Sequence, residues 1–136
     1  MKVFISYSNK DEALATKIVT YLEAAGLDAW YDKREIMPGD NWAEKIAKGL
    51  RESDAMVVLL TVNALDSESV RRDIDYALSE RSFNRRLIPV LVGDSEDFRS
   101  SQIPWIFSRL NTIKLPTNGK NEEQLKQIAQ VLKDVA

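Results

Sequence analysis

The sequence predicts an open α/β sheet with helices on both faces. Three observations predict it: short apolar runs, amphipathic segments with helical spacing, and regular alternation between the two. Val3-Phe4-Ile5, Ala55-Met56-Val57-Val58-Leu59-Leu60 and Leu87-Ile88-Pro89-Val90-Leu91-Val92 are apolar without strict alternation. Such runs suit strands buried on both faces of a parallel sheet. Leu27-Asp28-Ala29-Trp30-Tyr31 and Asn111-Thr112-Ile113-Lys114-Leu115 are weaker and suit the edges.

The helices follow in order. Leu14, Ile18, Leu22 and Ala25 form the first stripe, with Asn9 and Glu12 as a capping box and Gly26 as the stop. Trp42, Ile46 and Leu50 form the second, with Asp40 as its N-cap. Val70, Ile74 and Leu78 form the third, in a helix from about Ser67 to Arg81. Leu125, Ile128, Leu132 and Val135 form the last, capped by Asn121 and Gln124. The stretch from Gly93 to Pro104 reads as loop or one short helix. About five strands in this length fit a flavodoxin-like three-layer sheet of order 2-1-3-4-5; a barrel needs roughly 250 residues. Residues 1–136 read as a single domain, and a start at Met1 fits the first domain of a longer protein.

Composition narrows the chemistry. Nineteen Lys and Arg against 21 Asp and Glu give a net charge of −2, a balance that disfavours nucleic acid and anionic membranes as partners. With no cysteine and no histidine, thiol catalysis, thiolate or imidazole metal sites and a Ser-His-Asp triad are excluded, and no metal is expected. No run reaches the roughly 18 apolar residues of a membrane span, and the N-terminus is too short and polar for a signal peptide, so the expected location is cytoplasmic.

In such a sheet, ligands bind beyond the carboxyl ends of the strands, at the switch point between the first and third. That brings Ser6, Tyr7 and Ser8 into view, with Asp32 after strand two and Thr61 to Asn63 after strand three. No G-x-G-x-x-G and no Walker loop is present, and the acids of a response-regulator receiver are missing. The segment Asp32 to Asp40 is long for a connection and carries Ile36 and Met37 before Pro38-Gly39, the mark of a contact surface. A turn whose Ile36 folds back on the core is the alternative.

Four blocks resemble the Toll/interleukin-1 receptor (TIR) domain, in its bacterial and plant-like form. They are Phe4-Ile5-Ser6-Tyr7-Ser8 with Asp11; Gly26 with Trp30 and Asp32; Pro38-Gly39-Asp40 with Trp42; and Ser67 through Val70-Arg71-Arg72-Asp73-Ile74 to Ala77-Leu78. Their order and spacing cover nearly the whole chain. The resemblance implies a module that self-associates with other TIR domains and cleaves NAD+ to nicotinamide and ADP-ribose or a cyclic variant, often in immune or anti-phage signalling; the alternative it implies is assembly with other TIR domains without catalysis. NAD+ is then a substrate, and no cofactor is implied.

The resemblance also implies roles. In enzymatic members a glutamate in a Ser-x-Trp-x-x-x-Glu pattern is the catalytic carboxylate. Here the matching heptad is Ser67-Glu68-Ser69-Val70-Arg71-Arg72-Asp73, so Asp73 stands for the glutamate and Ser69 for the tryptophan. Aspartate is one methylene shorter, roughly 1.5 Å less reach. Glu68 lies on another side of the helix and reads as a first-turn acid. Ser6, Tyr7, Ser8, Asp32, Gly39 and Trp42 are the expected substrate-pocket residues. Ile36, Met37, Pro38, Gly39 and Asp40 are the expected self-association loop. Trp30 and Trp105 read as packing residues, and Arg71, Arg72, Arg81, Arg85 and Arg86 as a solvated face or a phosphate contact. A nucleoside deoxyribosyltransferase of the same architecture is a lesser reading, disfavoured by the Pro38-Gly39-Asp40 block.

Overall fold

A computed structural model describes residues 1–79, 87–93, 113–115 and 122–134. The elements are β1 (Lys2–Ser6), a 3-10 turn (Asn9–Asp11), α1 (Glu12–Ala24), β2 (Asp28–Trp30), α2 (Asp32–Glu35), α3 (Trp42–Glu52), β3 (Ala55–Leu60), α4 (Val62–Leu65), α5 (Glu68–Ser79), β4 (Leu87–Val92), β5 (Ile113–Leu115) and α6 (Glu122–Asp134). The strands form one parallel sheet of order β2-β1-β3-β4-β5, with the two weak strands at the edges. Fold class and strand order are those expected.

Strand parity divides the core in two. Val3 and Ile5 of β1, Val57 and Leu59 of β3, and Ile88 and Val90 of β4 face α1 and α6. Phe4, Met56, Val58, Leu60, Leu87 and Leu91 face the other way, onto α3, α4 and α5. By the same alternation Ser6, which pairs with Val58, falls on the Phe4 side. The β1–β3 register sets Ser6 beside the carboxyl end of β3, at the switch point.

Local chemistry sets the helix ends, in places differently from expectation. No capping box of Asn9 and Glu12 forms; the 3-10 turn intervenes, and the Ser8 hydroxyl caps it by accepting from Lys10 N at 3.4 Å. Asp11, which precedes α1, accepts from Thr61 Oγ1 and from Asn63 Nδ2, the latter at 3.1 Å, so it ties this turn to the end of β3. Gly26, at φ +89°, closes α1 in a Schellman turn, with Leu27 N on Leu22 O at 3.0 Å and Gly26 N on Glu23 O at 3.1 Å. The N-cap of α3 is Asn41, accepting from Glu44 N at 3.2 Å, and not Asp40. Asp40 instead accepts from Met37 N at 2.8 Å.

The Asp32–Asp40 segment is not all loop, since α2 occupies its first half. Arg34 anchors α2 through Ala29 O, Glu23 at 2.8 Å and the Tyr31 ring at 5.2 Å. Pro38 and Gly39 then form a turn closed by Asp40 N on Met37 O at 3.0 Å, and φ +90° at Gly39 suits only glycine without strain. Met37 at the tip is exposed, while Ile36 is partly buried and packs on the Phe4-side core.

Two stripe residues depart from the core. Trp42 is 43% exposed and Leu78 is 44% exposed. On α5 the buried set is Val70, Asp73, Ile74 and Ala77, so the stripe runs through Ala77 rather than Leu78. Trp30 is buried and stacked on Phe4 at 4.8 Å, as a packing residue should be. Trp105, Arg81, Arg85, Arg86, Asn121, Val135 and the segment from 94 to Pro104 lie outside the described residues. Among the described residues no helix is long and apolar enough to cross a membrane.

Candidate functional site

The site is built on the Phe4 side of the sheet, where a carboxylate occupies a core position. Ser67 Oγ accepts from Val70 N at 3.4 Å and opens α5, with Glu68 exposed in its first turn. One turn further, Asp73 lies in the apolar stripe and is only 6% exposed. Ser6, at the end of β1, donates to Asp73 Oδ2 at 2.8 Å, while Asp73 Oδ1 is buried with no hydrogen-bond partner.

The electrostatics follow from this placement. Burial pushes the Asp73 carboxyl up from an ordinary 3.8 to about 6, and nearby Asp32 adds to the push. The Ser6 hydrogen bond and the Arg72 charge pull it back down. The Tyr7 phenol is raised by burial and by its hydrogen bond to Asp32, so it stays protonated and donates to Asp32 Oδ1. Two carboxylates thus share one crevice, each with its own hydroxyl donor.

Asp73 lines a chamber of about 20 Å³, walled by Phe4, Trp30, Ile46, Tyr7 and Asp32 and by Trp42, Ser69 and Arg72. That is room for about one water molecule. The Arg72 guanidinium stacks on the Trp42 ring at 4.9 Å, which joins α5 to α3 along the chamber wall. A wider cleft of about 280 Å³ adjoins it, lined by Tyr7, Asn9, Glu12, Asp32, Lys33, Ile36 and Trp42. Tyr7, Asp32 and Trp42 line both spaces.

The structure therefore brings Ser6, Tyr7, Asp32, Trp42 and Asp73 together. Ser6, Ser8 and Gly39 line neither space; Ser6 stands behind Asp73 through its hydrogen bond, Ser8 is committed to its turn and Gly39 to the loop tip. Sequence reasoning missed Phe4 and Ile46, along with Ile5, Trp30 and Ser69, in the chamber and Asn9, Glu12 and Lys33 in the cleft. Parity from Ser6 back to Phe4, and the step of four from Trp42 to Ile46, were signals for the first two. Nothing local marked the cleft residues, which the long Asp32–Asp40 connection brings against the start of α1, where Lys33 pairs with Glu12.

Chemically, the arrangement offers one desolvated carboxylate oxygen, an aromatic face and a guanidinium at a narrow opening. A carboxylate in such surroundings interacts strongly with positive charge developing on a ligand.

The chain is similar to several known proteins. The chain is 30% identical over 110 residues to the NAD(+) hydrolase PdTIR of Paracoccus denitrificans, covering 79% of this chain and 37% of that protein. It is 28% identical over 131 residues to a probable 2' cyclic ADP-D-ribose synthase, TcpO, of Methanobrevibacter olleyae, covering 93% of this chain and 38% of that one. The chain thus spans less than two-fifths of the length of these curated relatives. A metazoan TIR-STING receptor from C. gigas shares the fold, with a TM-score of 0.77 at 22% identity over 96% of this chain and 38% of that chain. The match to the TIR domain family runs over residues 3–132, so with its four sequence blocks and its strand order the chain belongs to the TIR domain family.

Proposed function

We propose that this TIR domain binds NAD+ in the crevice at the carboxyl ends of β1 and β3 and cleaves it between nicotinamide and ribose, as an effector in cytoplasmic immune signalling of the anti-phage kind. The observation that carries the reading is Asp73: a buried carboxylate at the switch point with one oxygen unpartnered. The names of the relatives, an NAD(+) hydrolase and a cyclic ADP-D-ribose synthase, support the same chemistry.

The reaction asks little of the protein. The ribose C1′–N bond breaks, its electron pair goes to the nicotinamide ring, and nicotinamide leaves neutral without a proton donor. Positive charge then spreads over C1′ and the ring oxygen, where a carboxylate stabilises it. A water attacks C1′ and loses a proton to give ADP-ribose; attack by a group of the same molecule gives a cyclic product. Asp73 stabilises the charge, Trp42 offers a stacking face, Asp32 accepts from a sugar hydroxyl, and Arg72 faces the pyrophosphate. None of these roles needs histidine, cysteine or a metal.

The test is nicotinamide release by the concentrated protein and by protein assembled through a fused oligomeriser. Asp73→Ala is expected to abolish release with the fold intact, and Asp73→Glu to retain or raise it. Absence of turnover in the wild type under forced assembly overturns the enzymatic reading.

A second reading, self-association with other TIR domains without catalysis, is favoured by Met37, which is 62% exposed at the loop tip. Ile36 is less available, because it packs on the core. Met37→Asp is expected to abolish concentration-dependent association in sedimentation while leaving the circular dichroism unchanged. Unaltered association removes this loop from the interface.

A further inference from the structure

We infer that Ser6 is the positioning residue of this site: its hydroxyl ties down one oxygen of the Asp73 carboxylate so that the other is left for the ligand. The inference rests on the reading of Asp73 as the reacting carboxylate, and it assigns Ser6 a task other than contact with substrate.

The geometry carries it. Ser6 is 1% exposed, and strand parity turns its side chain away from the α1–α6 side and toward α5. Its hydroxyl donates to Asp73 Oδ2 at 2.8 Å, a well-formed O–H···O hydrogen bond. The two ends of that bond sit on different elements, a central strand and a helix packed on it, so the bond fixes a side-chain torsion against the rigid sheet. Asp73 Oδ1 receives nothing from the protein although it is fully buried. A carboxylate with one satisfied and one orphaned oxygen, on the wall of a chamber with room for about one water molecule, has one acceptor position reserved.

The neighbouring groups do not perform this task. Tyr7, which follows Ser6 and lines the chamber, is committed to Asp32. Arg72, on α5 itself, lies over Trp42 and acts on Asp73 as a charge. Asp32, from α2, opposes the ionised form. Ser6 is the one group among the described residues that donates a hydrogen bond to Asp73. An aspartate cannot reach as far as a glutamate, and a misplacement of about 1 Å costs roughly 10²-fold in rate. An anchored oxygen adds no reach, but it holds the second oxygen in one orientation.

The experiment compares wild type, Ser6→Ala, Ser6→Cys and Ser6→Thr in the full chain, reading two things. One is the titration of the Asp73 carboxyl carbon by NMR; the other is nicotinamide release against pH, separated into kcat and KM. Loss of the donor in Ser6→Ala is expected to raise the Asp73 midpoint by about one pH unit. It should move the acid limb of kcat with it and lower kcat roughly tenfold, with KM little changed. Ser6→Thr keeps the hydroxyl and should restore both. Ser6→Cys keeps the volume with a weak donor, so it should show a smaller shift in the same direction and serves if Ser6→Ala does not fold. An unmoved midpoint in the folded Ala or Cys variant overturns the inference. If the wild type releases no nicotinamide at all, the functional reading fails, and the NMR titration still decides whether Ser6 governs Asp73.

Discussion

The two sides of the sheet are built from the same strands and differ in what they bury. On the α1–α6 side, Ile5, Ile18, Leu22, Leu59 and Ile128 meet in an apolar cluster. On the α3–α5 side, Phe4, Trp30, Met56 and Val70 make a similar cluster, and Asp73 is set into its helix stripe. Each fully buried large side chain contributes roughly 1.5–3 kcal/mol on either side. The difference teaches where the fold carries a cost for function. A buried carboxylate with one unpaired oxygen opposes folding, and it is tolerated only on the side where Ser6 and Arg72 offset part of the penalty.

The largest effect should come from forcing the same feature onto the other side. Ile128→Asp places a carboxylate in α6 where the cluster holds only apolar side chains, and should destabilise by more than about 4 kcal/mol. Denaturant unfolding measures it. A variant that keeps its unfolding midpoint breaks the comparison.

Removing the charge from the α3–α5 side should do the reverse. Below pH 3.8 Asp73 is protonated in both the folded and unfolded states, and its charge costs nothing. Between 3.8 and about 6 the folded chain holds the extra proton, so stability falls as pH rises through that window. Above about 6 the full penalty is present, on the order of 2–3 kcal/mol. Asp73→Asn should therefore raise the thermal midpoint at pH 7.5, and the gain should vanish near pH 3.5, while nicotinamide release is lost. A variant less stable than wild type at pH 7.5 contradicts the assigned cost.

The smallest effect tests how tightly the functional side is packed. A Cβ on Gly49 of α3 would lie 2.5 Å from Cε2 of Trp30, whose ring is stacked on Phe4 at 4.8 Å and has little room to retreat. Overpacking costs about 1–3 kcal/mol, and the better helix propensity of alanine returns about 1 kcal/mol. Gly49→Ala should lose roughly 1 kcal/mol net in the same unfolding measurement. A stabilised variant shows that α3 can move off β2.

How much of this was legible in the sequence depends on whether the signal was local or needed the fold. The runs around Val57 and Val90 and the stripes of α1 and α6 carry their burial in their own pattern, and they folded as read. Asp73 was legible as an acid at a family position, but its bond to Ser6 joins residues 67 apart in sequence. Parity along β1 and the α5 stripe contain that pairing only once the helix is placed on the right face. Helix starts were the weakest reading. Ser8, Asn9, Asp40 and Asn41 are all good caps, and the choice among them was made by tertiary ties such as Asp11 to Asn63. Trp42 and Leu78 fit their stripes, yet one became part of the chamber wall and the other was displaced outward by Ala77.

The stack of Arg72 on Trp42 has a thermodynamic consequence. The chamber of about 20 Å³ has room for about one water molecule, and the stacked pair forms part of its wall. For a ligand whose entry parts that pair, apparent affinity is the intrinsic affinity scaled by the fraction of molecules in which the pair stands apart. Any contact that favours the parted arrangement strengthens such binding without adding a contact to the ligand.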